Sequence, residues 1–70
     1  GASINRANKQ GETALMRAAG AGSEFTAATL LLAGADYTLT DFTGRTAFDL
    51  ARENRRNRVL EIFRKARITQ

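Results

Sequence analysis

Gly11 and Gly44 stand 33 residues apart, and the segments around them superimpose over most of that interval. Gly11-Glu12-Thr13-Ala14-Leu15 returns as Gly44-Arg45-Thr46-Ala47-Phe48, Ala18 returns as Ala51, Asn8 as Asp41 and Asn5 as Thr38. The same register aligns Gly1-Ala2-Ser3-Ile4 with Gly34-Ala35-Asp36-Tyr37. A period of this length belongs to stacked helical arrays, in which each unit buries its apolar face only by leaning on a neighbour. The chain is therefore one supersecondary unit written about twice.

The residues within each period resemble the ankyrin repeat family. The family pattern runs Asp-x-x-Gly-x-Thr-Pro-Leu-His-x-Ala-Ala, then a second helix with Leu-Leu, then Gly-Ala-Asp. It is met by Asn8 to Ala19, Leu30-Leu31 and Gly34-Ala35-Asp36, and again by Asp41 to Ala51. The resemblance covers Ile4 to Ala66 and implies an all-α fold, an α-solenoid of two helix-turn-helix repeats with hairpin-like finger loops. Residues 1–70 then form a single domain, with a partial finger over 1–10, a repeat over 11–43 and a C-terminal capping repeat over 44–70. Ala14 and Ala47 replace the family's Pro, and Met16 and Asp49 replace its His, so a looser seam between repeats is expected.

Local signals place the elements. Thr13 is the expected N-cap of the first helix, and Gly20-Ala21-Gly22 its end. The second helix is expected from about Glu24 to Ala33. Its apolar residues leave almost no polar side, which predicts burial all round, with Thr26 and Thr29 against packing partners. Gly34 suits a left-handed helix end, and Asp36 a turn that it closes on itself. Thr46 followed by Asp49 is a capping-box variant opening the third helix. The fourth helix alternates Val59, Leu60, Ile62, Phe63 and Ala66 with Arg58, Glu61, Arg64 and Lys65. That amphipathic pattern reads as an end cap, as do Arg55 and Arg67 at positions where the repeat has glycine.

Composition narrows the chemistry. With no Cys and no His, the chain lacks a disulfide framework, a thiol nucleophile, the commonest metal ligand and the usual base near pH 7. No enzymatic activity and no cofactor are expected. Asp36, Asp41, Asp49 and Glu53 read as turn, finger, cap and solvated charge. The glycines follow helices instead of leading from a strand into one, so they form no phosphate cradle. No apolar run approaches a membrane span, and no secretory signal opens the chain, so an intracellular module, cytoplasmic or nuclear, is expected. Seventy residues bury only about 60% of their unfolded surface, and an elongated stack buries less, so good packing or a covering partner is needed.

Two surfaces compete for function. The net charge of +4 is skewed, with four basic and five acidic residues over 1–51 against seven and two over 52–70. Arg52, Arg55, Arg56 and Arg58 could bind phosphates or an acidic partner through bidentate hydrogen bonds. They also read as a solvated cap, which the absence of interleaved exposed aromatics favours. The family resemblance instead implies protein recognition by finger tips and the inner face of the first helices. By position this selects Lys9, Gln10, Glu12, Gly20 and Ala21, then Leu39, Phe42, Thr43, Arg45, Glu53 and Asn54. Phe42 and Leu39 are the expected apolar anchors, although Phe42 or Tyr37 could instead fold onto the neighbouring finger. The leading reading is a non-enzymatic protein-binding module; the alternatives are an anion-binding surface and a structural cap of a longer array. The apolar second helix adds two further expectations, upstream repeats or a homodimer formed through it.

Overall fold

The computed structural model describes residues 4–66, which form four helices: α1 (Ala14–Ala21), α2 (Glu24–Leu32), α3 (Ala47–Glu53) and α4 (Asn57–Lys65). None exceeds nine residues, below the length at which an isolated helix is stable in water. Packing must therefore hold them. α1 pairs with α2 and α3 with α4, while α1 lies on α3 and α2 on α4, so the two helix pairs stack in register. Finger loops precede α1 and α3.

The helix starts follow from the residues named above. Thr13 accepts the Met16 N–H at 3.3 Å. Thr46 and Asp49 exchange reciprocal bonds of 3.2 Å, completing the capping box. At the far ends Gly22 and Gly34 take left-handed backbones. Arg55, 33 residues after Gly22, takes one too, at φ 55°. The turn between helices thus keeps its conformation where the sequence departs from glycine.

The core runs along the seam. Leu15, Met16, Ala18 and Ala19 of α1 meet Ala47 and Ala51 of α3, and Val59 and Phe63 of α4 close it from the outer side. Phe63 is fully buried, with its ring centroid 5.9 Å from that of Phe48. The loosening expected at the histidine positions is answered locally. Met16 is buried in the core, Asp49 caps its own helix, and no buried side-chain nitrogen or oxygen among the described residues lacks a partner. The radius of gyration is 10.6 Å, close to the ~11 Å of a compact globule of this length. Two repeats are short enough to be globular, so the area lost to elongation is small.

One expectation fails. α2 is not buried all round: only Ala27 is buried, Phe25 and Leu32 are 82% and 90% exposed, and Thr26 and Thr29 face solvent. Among the described helices α1 and α4 make the main contacts with α2, and its remaining faces are left to solvent or loops. Gly1 to Ser3 and Arg67, which entered the reading of the two chain ends, lie outside the described residues.

A domain of 70 residues has a stability of about 4–10 kcal/mol at the usual ~0.05–0.15 kcal/mol per residue. Phe63→Ala is expected to remove about 3–5 kcal/mol, a large fraction of that stability, whereas Thr46→Ala should cost about 1 kcal/mol. Urea unfolding followed by circular dichroism measures both.

Candidate functional site

The two fingers share one hydrogen-bond pattern built on a side-chain carbonyl oxygen. In the first, Asn8 Oδ1 accepts the N–H groups of Gln10 and Glu12, each at 2.9 Å. In the second, Asp41 Oδ1 accepts the N–H groups of Thr43 and Arg45 at 2.9 and 3.0 Å and the Thr43 hydroxyl at 2.6 Å. Each loop is closed by backbone bonds, Asn8 with Glu12 and Gly11, Asp41 with Arg45 and Gly44. A carboxylate accepting three donors is favoured in its charged form. The Thr43 hydroxyl, then the Arg45 N–H, hold the Asp41 carboxyl below the ordinary 3.8. Asp36 is lowered likewise by the hydroxyl and N–H of Thr38. These aspartates are engaged as loop fasteners.

The fingers are joined to each other. Phe42 donates its N–H to the Gln10 carbonyl at 3.1 Å, and its ring lies on Gly11. A Cβ added at Gly11 would meet the ring at 2.7 Å and the Phe42 nitrogen at 2.9 Å. The ring therefore folds onto the neighbouring finger, yet remains 80% exposed. One face is held and the other is open. Upstream, Asn5 Oδ1 accepts the Asp36 N–H at 2.7 Å, tying the first segment to the end of α2.

The other nominated residues separate into groups. Lys9, Gln10 and Thr43 are exposed at the tips with Phe42. Arg45 and Glu53 pair at 3.2 Å with about half of each side chain exposed, linking the second finger to α3. Glu12 accepts the Asn8 amide at 3.1 Å, and Asn54 donates to the Leu50 carbonyl at 2.9 Å. Leu39 is half-buried and packs against the core, so it offers a partner less than a tip residue would.

The terminal arginines are divided. Arg56 Nε donates to the Gly20 carbonyl at 3.0 Å, with its stem against Gly22, and Arg58 lies 3.6 Å from Glu24. Both thereby stitch the second repeat to the first. Arg52 and Arg55 are exposed. A feature the sequence reading missed is a shallow cleft of about 380 Å³ beside the first finger, lined by Ala7 and Ala14 between Arg6 and Arg17. Only the stacking of finger against α1 brings those two cations to one place.

A family model described as ankyrin repeats (many copies) matches residues 1–51. No curated protein matches the chain. The match ends at Ala51, within α3, and α4 takes its place by packing on α2 and α3. No described helix is long and apolar enough to cross a membrane.

Gly11 and Gly44 both have positive φ, at 80° and 84°, but a Cβ at Gly44 would meet nothing within 4 Å. Gly44→Ala is expected to cost about 1–2 kcal/mol of backbone strain. Gly11→Ala should cost more and shift the Phe42 ring resonances, because the ring must move. Stability and proton NMR of the two variants read the difference. Asp41 gives a second test. A lowered folded-state pKa supplies stability above the ordinary value that is lost as pH falls through the folded one. Thr43→Val should bring Asp41 up towards 3.8 and flatten the dependence of stability on pH below about pH 4, which NMR titration and acid unfolding would show.

Proposed function

This chain belongs to the ankyrin-repeat family, and on that premise we propose that it binds a protein partner through its finger tips, with Phe42 as the central anchor. Ankyrin repeats are generally protein–protein interaction modules and generally non-enzymatic. The observation that carries the finer reading is Phe42: an aromatic ring 80% exposed, resting on Gly11 with one face, on a backbone tied to the neighbouring finger by its N–H bond to Gln10. A ring already ordered before binding loses little conformational entropy on contact. Aromatic anchors of this kind carry a disproportionate share of interface energy.

Around that anchor, Lys9, Gln10 and Thr43 present polar groups at the tips, and the Arg45–Glu53 pair supplies a fixed charge pattern next to them. Arg6 and Arg17, flanking the cleft by α1 whose lining also holds Glu12, extend the surface with a net single positive charge that suits an acidic side chain on the partner. The partner on this reading offers an apolar pocket for one ring and carboxylates to one side. The rival anion-binding surface is weakened because Arg56 is already engaged at the Gly20 carbonyl, although Arg58 stays 82% exposed beside Glu24.

The test compares retention of cellular proteins by the wild type, by Phe42→Ala and by the pair Arg52→Ala with Arg55→Ala, over a salt series. A partner purified from that screen should bind Phe42→Ala with affinity reduced roughly 30-fold, the effect of ~2 kcal/mol at a hot spot, and should survive moderate salt. Binding that falls steeply with salt, follows the arginines and ignores Phe42 would show counterion release and overturn the reading.

A further inference from the structure

The contact between the fingers has a donating half and a receiving half. Asn8 Oδ1 takes the N–H groups of Gln10 and Glu12, and Asp41 Oδ1 takes those of Thr43 and Arg45. In each loop the N–H of the residue directly after the fastener is passed over. In the second finger that group belongs to Phe42, and it crosses to the first finger, meeting the Gln10 carbonyl at 3.1 Å while the ring covers Gly11. The receiving half is therefore a carbonyl followed by a glycine with a bare face.

That receiving half exists twice. Thirty-three residues after Gln10 and Gly11 stand Thr43 and Gly44. The two glycines share a backbone conformation, with φ of 80° and 84°, and their N–H groups close the loop in the same way, onto Asn8 and Asp41. What differs is occupancy. Gly11 is buried, with the Phe42 ring 2.7 Å from where a Cβ would stand, whereas Gly44 is exposed and a Cβ there would meet nothing within 4 Å. No donor among the described residues reaches the Thr43 carbonyl. Positive φ accounts for glycine at both positions; the open face and the free acceptor are additional properties of the second. The residue after Gly44 is Arg45, a cation where the first finger has Glu12, and cations are attracted to the faces of aromatic rings.

We propose that Thr43 and Gly44 form a docking site for a turn of a partner protein in which an aromatic residue follows Asp or Asn. The N–H of that aromatic residue donates to the Thr43 carbonyl, and its ring lies on the bare face of Gly44, as Phe42 does one finger earlier. The occupied copy sets the chemistry of the occupant. An Asp or Asn that fastens its own turn leaves the next N–H to an outside acceptor, and a flat ring covers a glycine without needing a pocket. Backbone pairing of this kind fixes the register of a bound segment, and the ring supplies its selectivity. The site uses no atom of the Phe42 side chain.

A peptide copying Thr38–Thr46, acetylated and amidated, carries such a turn and serves as the probe. Titrated to millimolar against the nitrogen-15-labelled chain, it should shift the amide resonances of Thr43, Gly44 and Arg45. Gly44 should move most, because its N–H shares a peptide group with the Thr43 carbonyl. N-methylation at Phe42 of the peptide, or Phe42→Ala in the peptide alone, should each weaken binding about tenfold, the scale of one lost hydrogen bond or one lost ring contact. Gly44→Ala in the protein puts a methyl where the ring is to lie and should abolish the shifts, with circular dichroism showing that the helices persist. A peptide that moves no resonance of the second finger, binds along α2 instead, tolerates N-methylation or still binds the Gly44→Ala protein would overturn the site. The probe needs no partner from the screen, so failure here leaves the Phe42 anchor standing, and a partner indifferent to Phe42 leaves this site standing.

Discussion

Ala18 and Ala19 on α1 meet Ala47 and Ala51 on α3 with no side chain beyond Cβ, and this close approach sets the rest of the molecule. Short side chains let two short helices lie against each other. That contact brings Met16 and Leu15 into line with Phe63 and Val59 and carries the fingers to adjacent positions. The Gln10–Phe42 bond, the Phe42–Gly11 contact and the Arg56–Gly20 bond all cross between repeats. Each exists only at the spacing the alanine seam imposes. Helices of seven to nine residues have no stability to contribute alone, so fold and surface rest on the same seam.

Much of this was legible because it is local. The Thr13 cap, the Thr46–Asp49 box, the left-handed Gly34 and the turn closed by Asp36 each depend on residues within four positions. The equivalence of Asn8 and Asp41 was visible from the period, and in both loops the same two backbone N–H groups donate to that side-chain oxygen. Arg55 was read as breaking the pattern at a glycine site, yet its backbone keeps glycine's conformation. The exchange costs some strain, about 1–2 kcal/mol for a residue with Cβ, and changes no topology.

What escaped the sequence is the direction in which side chains point once helices are stacked. An apolar α2 suggested burial, but hydrophobicity does not create neighbours, and among the described helices mainly α1 and α4 pack on it. Likewise four terminal arginines looked alike in sequence, and only packing separates Arg56, which hydrogen-bonds Gly20 of the first repeat, from Arg52, Arg55 and the largely exposed Arg58. The molecule thus has two unlike surfaces, polar fingers around one exposed aromatic ring and an apolar outer face on α2, on a scaffold with no core to spare.

The central claim is that the seam makes both repeats one cooperative unit. Native-state hydrogen exchange tests it directly, by comparing the opening free energies of the slowest amides in each helix. If the account holds, those in α1, α3 and α4 exchange with one shared value equal to the global unfolding free energy. If α3 and α4 open together at a distinctly lower value while α1 and α2 stay protected, each pair stands on its own contacts and the seam does not hold the fold together.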